Sequence, residues 1–167
     1  WIKPLNTQRA AVAKLMLMRV SDNDGVSVPI AEMEMVPGKW QKLEGRIPNI
    51  ESAEKLHAIR LEVEGADIDY LIDDVSIKET SSVYPLGSEQ GSEELLPAIS
   101  ELGPVVNGDL EDGLEPWGSQ GGQITRSREH AHSGKYSLLI SGRTQGWHAP
   151  VITINRLEDN TPYRVSI

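Results

Sequence analysis

Polar and apolar residues alternate along much of this chain in short runs separated by turn clusters. The clearest run is Ile59-Arg60-Leu61-Glu62-Val63-Glu64. Its period of two sends Ile59, Leu61 and Val63 to a buried face and Arg60, Glu62 and Glu64 to the opposite one. Residues 32–36 alternate too, and Pro37-Gly38 then turns the chain into Trp40-Gln41-Lys42-Leu43. An apolar run over 15–20 stops at Ser21-Asp22-Asn23-Asp24-Gly25, a strong turn signal. Residues 68–77 read as a strand interrupted by Asp73-Asp74. After residue 105, turns at Asn107-Gly108-Asp109, Glu111-Asp112-Gly113 and Ser133-Gly134 separate strands over 136–140, 151–154 and 163–167. A short helix is expected at most around 51–56. Short strands at close spacing predict an all-β sandwich.

Residues 79–104 break the pattern. They hold five Glu and no Lys or Arg, with frequent Ser, Gly and Pro. This composition predicts an extended acidic linker between β-patterned stretches at 1–78 and 105–167.

Charge and cysteine usage narrow the function classes. Sixteen Lys and Arg against 25 Asp and Glu give a net charge of −9. That balance repels phosphate backbones and anionic bilayers, so neither nucleic acid nor membrane is an expected partner. No run approaches the roughly 18 apolar residues of a membrane span, and no signal peptide opens the chain. With no cysteine, disulfides, thiolate metal sites and thiol catalysis are excluded. Carboxylates are plentiful, but Glu62 and Glu64 lie on one strand face and cannot flank a glycosidic bond from opposite sides. No nucleophile elbow, zinc helix motif or phosphate loop occurs, so catalysis is not expected. His130-Ala131-His132 lacks the third ligand of a transition-metal site.

Several segments together resemble carbohydrate-binding modules of the family 4, 9 and 22 group. Val106-Asn107-Gly108-Asp109-Leu110-Glu111-Asp112-Gly113 followed by Trp117 is similar to the opening of such modules. His132-Ser133-Gly134-Lys135-Tyr136-Ser137-Leu138 resembles the turn and strand that follow. Gly142-Arg143-Thr144-Gln145-Gly146-Trp147 resembles the Arg-Thr-x-x-Trp signature of family 22, the xylan-associated branch. Gly38-Lys39-Trp40, Leu61-Glu62-Val63-Glu64 and Tyr70-Leu71-Ile72-Asp73-Asp74-Val75-Ser76-Ile77 resemble that family's closing half. The resemblance implies a jelly-roll β-sandwich of two antiparallel sheets in circularly permuted order, with the C-terminal half of a module at 1–78 and the N-terminal half at 105–167. The order admits two origins, a circular permutant or a slice across tandem modules. Either lets the halves pair, in one chain or as a swapped dimer.

The resemblance also implies a function: non-catalytic binding of plant cell-wall polysaccharide, β-1,4-xylan or mixed-linkage β-glucan, by a secreted unit attached to a glycoside hydrolase catalytic domain, a xylanase in particular. Sugar recognition needs an aromatic plate against C–H faces and planar polar groups for hydroxyl pairs. Trp147 stands at the family's sugar-stacking position and Glu64 at its acidic hydroxyl acceptor, with Glu62 beside it and Arg143 in the signature. Arg126 and Arg128 are both candidates for a cleft arginine. Trp117 and Trp40 match structural positions. Family 22 often has a tyrosine where Glu62 stands, and a cleft aromatic near Ser27-Val28 is absent, which keeps a structural spacer module open as the alternative. A structural calcium is implied at Glu111, Asp73, Asp74 and Asp109, with a main-chain carbonyl at Lys135 adding oxygen.

Overall fold

The structure is a computed structural model that describes residues 1–7, 10–19, 26–47, 57–65, 67–80, 105–154, 157–158 and 160–167. The expected helix at 51–56 and linker residues 81–104 lie outside this set. Glu79, expected to begin the linker, instead ends a strand.

All regular structure among the described residues is β. The strands are β1 (Ile2–Pro4), β2 (Ala11–Arg19), β3 (Val26–Met35), β4 (Glu44–Ile47), β5 (His57–Val63), β6 (Tyr70–Ile72), β7 (Ser76–Glu79), β8 (Trp117–Gln120), β9 (Gln123–Ser127), β10 (Ser137–Ser141), β11 (Ala149–Ile154) and β12 (Tyr163–Ser166). They form three antiparallel sheets, ordered β3-β2-β5-β11-β8, β1-β6-β10-β9 and β4-β12-β7. Every sheet combines strands from before residue 80 with strands from after residue 105. The pairs that join the two stretches are β5 with β11, β6 with β10, and β12 with both β4 and β7.

The two chain ends continue one ladder. Tyr163 to Ser166 face Ile47 to Glu44 in register. The next position is Ile167, which exchanges both backbone bonds with Leu43 at 2.9 and 2.7 Å. Ile2 exchanges both with Gln41 at 2.8 and 2.9 Å, leaving Trp1 opposite Lys42. Along 47–41, then, the partner strand runs through 163–167 and 1–2 without a skipped position. On its other side Ser166 faces Ser76 and Ile2 faces Ile72. That spacing holds one residue more than an unbroken ladder, so the register slips by one between them, as at a β-bulge. Asp74, with φ of 53°, sits in the extra stretch, which is why the expected strand over 68–77 is split at the acidic pair.

The alternation explains the core. Leu15 and Leu17, Ile59 to Val63 at every second position, Tyr70, Ile72, Leu138, Ile140, Ile152 and Val165 are all buried in one cluster. Each such Leu or Ile side chain contributes about 1.5–3 kcal/mol by leaving water. Trp117 is 7% exposed, and its indole N–H donates to Asn107 O at 3.2 Å, in keeping with a structural position. Gly108 is required where it stands: a Cβ there would lie 1.9 Å from Val75 O, and Val75 N–H donates to Gly108 O at 2.9 Å.

Candidate functional site

The outer face of the five-stranded sheet carries the polar half of the alternating pattern. One row across it runs Pro29, Met16, Arg60, Val151 and Gly118. The neighbouring row sets Lys14 between Glu32 and Glu62. Lys14 reaches past the row to Glu64, Nζ to Oε1 2.6 Å. Arg60 is ion-paired to Glu62 and donates to Gln120 Oε1 at 2.5 Å and weakly to Ser27 Oγ at 3.5 Å. Its Nε is buried without a partner among the described residues. Arg60 thus lies at the centre of this face. The alternation at 59–64 already placed it there, but no motif singled it out.

Trp147 stands at the rim of this sheet, half exposed at 50%, with His148 edge-on at 4.4 Å. What holds it is Arg143. Only 6% exposed, this guanidinium donates to His148 O (2.7 Å), Gly65 O (2.9 Å), Ile68 O (3.0 Å), Gly146 O (2.7 Å) and Val63 O. It also lies 5.2 Å from the Tyr70 ring. Burial pulls its pKa below the ordinary value, but arginine stays charged in proteins. Arg143 is therefore not free to meet a sugar, which corrects its expected role. It ties the loop before β11 to the end of β5, the segment that leads into Glu64. A hollow of about 330 Å³ beside this joint is lined by Val12, Glu34, Glu64, Gly65 and Ile68 among others.

Arg126 and Arg128 belong elsewhere. Both lie on or next to β9 at the edge of the four-stranded sheet, away from β5 and β11. Arg126 donates to Leu110 O at 2.5 Å and to Glu111 O, and its guanidinium covers the Tyr136 ring at 3.3 Å. Arg128 donates to the Tyr136 hydroxyl. The structure does not bring either arginine to Trp147, so neither serves as an arginine beside that ring.

Of the residues expected to hold calcium, Glu111, Asp73 and Asp74 meet the turn at 132–135. Glu111 Oε1 accepts the N–H groups of Lys135 (2.8 Å) and Tyr136 (2.9 Å). The Lys135 N–H pulls the Glu111 pKa below its usual value. A Cβ on Gly134 would lie 2.5 Å from that oxygen, so the approach depends on glycine. Asp73, fully buried, accepts N–H groups of Asp74, His132 and Ser133 at 2.8, 2.8 and 3.2 Å. Burial nonetheless raises its pKa. Asp74 meets His132 Nδ1 at 2.7 Å and the Ser133 hydroxyl at 2.6 Å. Burial acts to raise its pKa, but those two bonds outweigh it and the net shift is downward. Asp109 is exposed and, among the described residues, accepts only the Glu111 N–H, at 3.4 Å. Among the described residues no three acidic or histidine side chains converge on one point. An ion here would have to draw on main-chain carbonyls and compete with these hydrogen bonds.

Comparison with known proteins yields two matches. Residues 103–167 match the family model described as a carbohydrate binding domain. The endo-1,4-beta-xylanase A of Thermotoga neapolitana is 29% identical over 144 residues, covering 83% of this chain and 12% of the relative. The chain thus spans about an eighth of that relative's length. No solved structure matches significantly. Together the two matches bear out the resemblance to carbohydrate-binding modules of this group.

Proposed function

We propose, starting from that resemblance, that the chain is a non-catalytic unit that binds β-1,4-xylan or mixed-linkage β-glucan on the outer face of its five-stranded sheet. Trp147 supplies the stacking plate, Glu64 and Glu62 accept hydroxyls, and Arg60 adds donors. In the parent chain such a unit holds a secreted glycoside hydrolase domain on plant cell-wall polysaccharide. Residues 1–79 and 105–167 act as the two halves of one module, with the acidic segment between them as the connection. The observation that carries the binding reading is the half-exposed Trp147, held beside a polar strand face by a fully engaged buried arginine. Half of that ring faces water and offers a plate to the C–H face of a sugar.

One observation favours a second reading, a spacer that stabilises a neighbouring domain. Trp147 is the one aromatic found at this face among the described residues, and a lone plate holds a glycan chain weakly. Affinity electrophoresis in gels containing soluble xylan, mixed-linkage β-glucan or a cellulose derivative separates the readings. Retardation in the first two supports binding; free migration in all three supports the spacer. Reducing sugar released from any of them would contradict the non-catalytic assignment.

The calcium expectation belongs to the same proposal. Glu111 from one side and Asp73-Asp74 from the other reach one turn whose carbonyls complete an oxygen set, and the ion would tie 105–167 to 1–78. Melting with calcium and with chelator tests it.

A further inference from the structure

A second charged surface lies on the three-stranded sheet, on strands that do not carry the Trp147 face. Arg46 on β4 faces Arg164 on β12, and Arg164 faces Lys78 on β7. All three are exposed. Adjacent strands lie about 4.8 Å apart, so three cations stand in a row roughly 10 Å long. Like charges directly opposite one another destabilise a sheet, and no salt bridge to any of the three occurs among the described residues. The Glu44 carboxylate, which the Arg164 charge also helps to keep ionised, is held by Lys42 at 2.7 Å. A groove of about 500 Å³ runs beside the row, lined by Ile30, Glu44, Gly45, Arg46 and Arg164. In a chain with a net charge of −9, three like charges side by side on one sheet face stand out.

We infer that the Arg46–Arg164–Lys78 row is a second glycan site, which takes the carboxylates of uronic-acid-bearing polysaccharides. Guanidinium forks match a carboxylate with two parallel bonds, which a lone ammonium does not. No aromatic side chain faces the row from its three strands, since Tyr163 is buried, so neutral sugar has no plate to stack on. The net negative charge disfavours densely charged polyanions but tolerates a polymer with a carboxylate every few sugars. The inference rests on the proposed glycan-binding function and concerns different residues.

The test compares wild type, the double variant R46Q/R164Q and W147A on glucuronic-acid-substituted xylan, the same xylan after carboxyl reduction, and dextran sulfate. Wild type should bind the acidic xylan more tightly than the reduced one at about 20 mM salt, and the difference should vanish near 300 mM as charges are screened. R46Q/R164Q should lose roughly tenfold on the acidic xylan and nothing on the reduced one. Its melting temperature should hold or rise, because the variant removes repulsion. W147A should keep the preference for acidic over reduced xylan. Wild type that binds the acidic xylan but not the reduced one would defeat the proposed function and leave this site standing. Equal behaviour of wild type and R46Q/R164Q, no acid preference in wild type, or equal capture of dextran sulfate would each overturn the inference.

Discussion

Two joints lock residues 105–167 onto residues 1–79, and they use opposite chemistry. At one, the cation Arg143 gathers backbone carbonyls from Val63, Gly65 and Ile68 as well as from its own loop. At the other, Asp73 and Asp74 gather N–H and O–H groups from His132 and Ser133, while Glu111 closes the same turn. The first joint has one charged member, whose protonation does not change in the ordinary pH range. The second is built of carboxylates, which titrate. The first joint is therefore insulated from acid, whereas the second is a joint that acid can open.

Arg143→Ala should have the largest effect. It leaves five buried or half-buried carbonyls without their donor and a cavity over Tyr70, so a loss of about 3–5 kcal/mol is expected in denaturant unfolding. Glycan binding should fall with it, because the Trp147 loop loses its tie to β5. Arg143→Lys should recover part of the stability, since an ammonium has three donors where the guanidinium has five. A near-neutral alanine variant would show that the first joint does not hold the loop.

Acid should act on the second joint. Asp74 and Glu111 have folded pKa values below their ordinary 3.8 and 4.5. Their stabilisation is complete above those values and is lost as pH falls through the lower folded ones. Asp73 has the opposite sign: with its pKa raised by burial, its contribution is full below 3.8 and declines as pH rises through the folded value. The melting temperature should thus fall on the acid side mainly through Asp74 and Glu111. Asp74→Asn should cost about 1 kcal/mol at neutral pH and flatten that acid limb. An unaltered limb in this variant would remove Asp74 from the acid response. Calcium sharpens the comparison further: an ion at this turn should raise the melting temperature of wild type by linkage, and Glu111→Gln should abolish the rise. Identical melts with calcium and chelator would leave the joint as hydrogen bonds alone.

How far these joints could be read from sequence depends on the kind of residue that makes them. Strands with one buried face were legible, because alternation at 59–64 and the apolar runs at 15–20 and 151–154 follow directly from burial. β8 and β9 were not, since Trp117–Gln120 and Gln123–Ser127 are largely polar edge strands with few buried positions to set a period. β4 was hidden in the same way by Gly45, whose inward position carries no side chain. The motif marked Trp147, whose ring the structure leaves half exposed. The task of Arg143 was not, because a charged residue in a signature looks the same whether it meets sugar or backbone carbonyls, and only burial separates the two. Arg126 and Arg128 lay two residues apart in sequence, but nothing local told which sheet they would join.

The smallest expected change in stability accompanies the largest expected change in binding, and it belongs to Trp147. Its ring is half in water, so Trp147→Ala should alter unfolding by no more than about 0.5 kcal/mol. Calorimetric titration of this variant and wild type with neutral soluble xylan, alongside their melting curves, tests the central claim most directly. The account predicts coincident melts with binding lost in the variant. Equal binding by both proteins would contradict it.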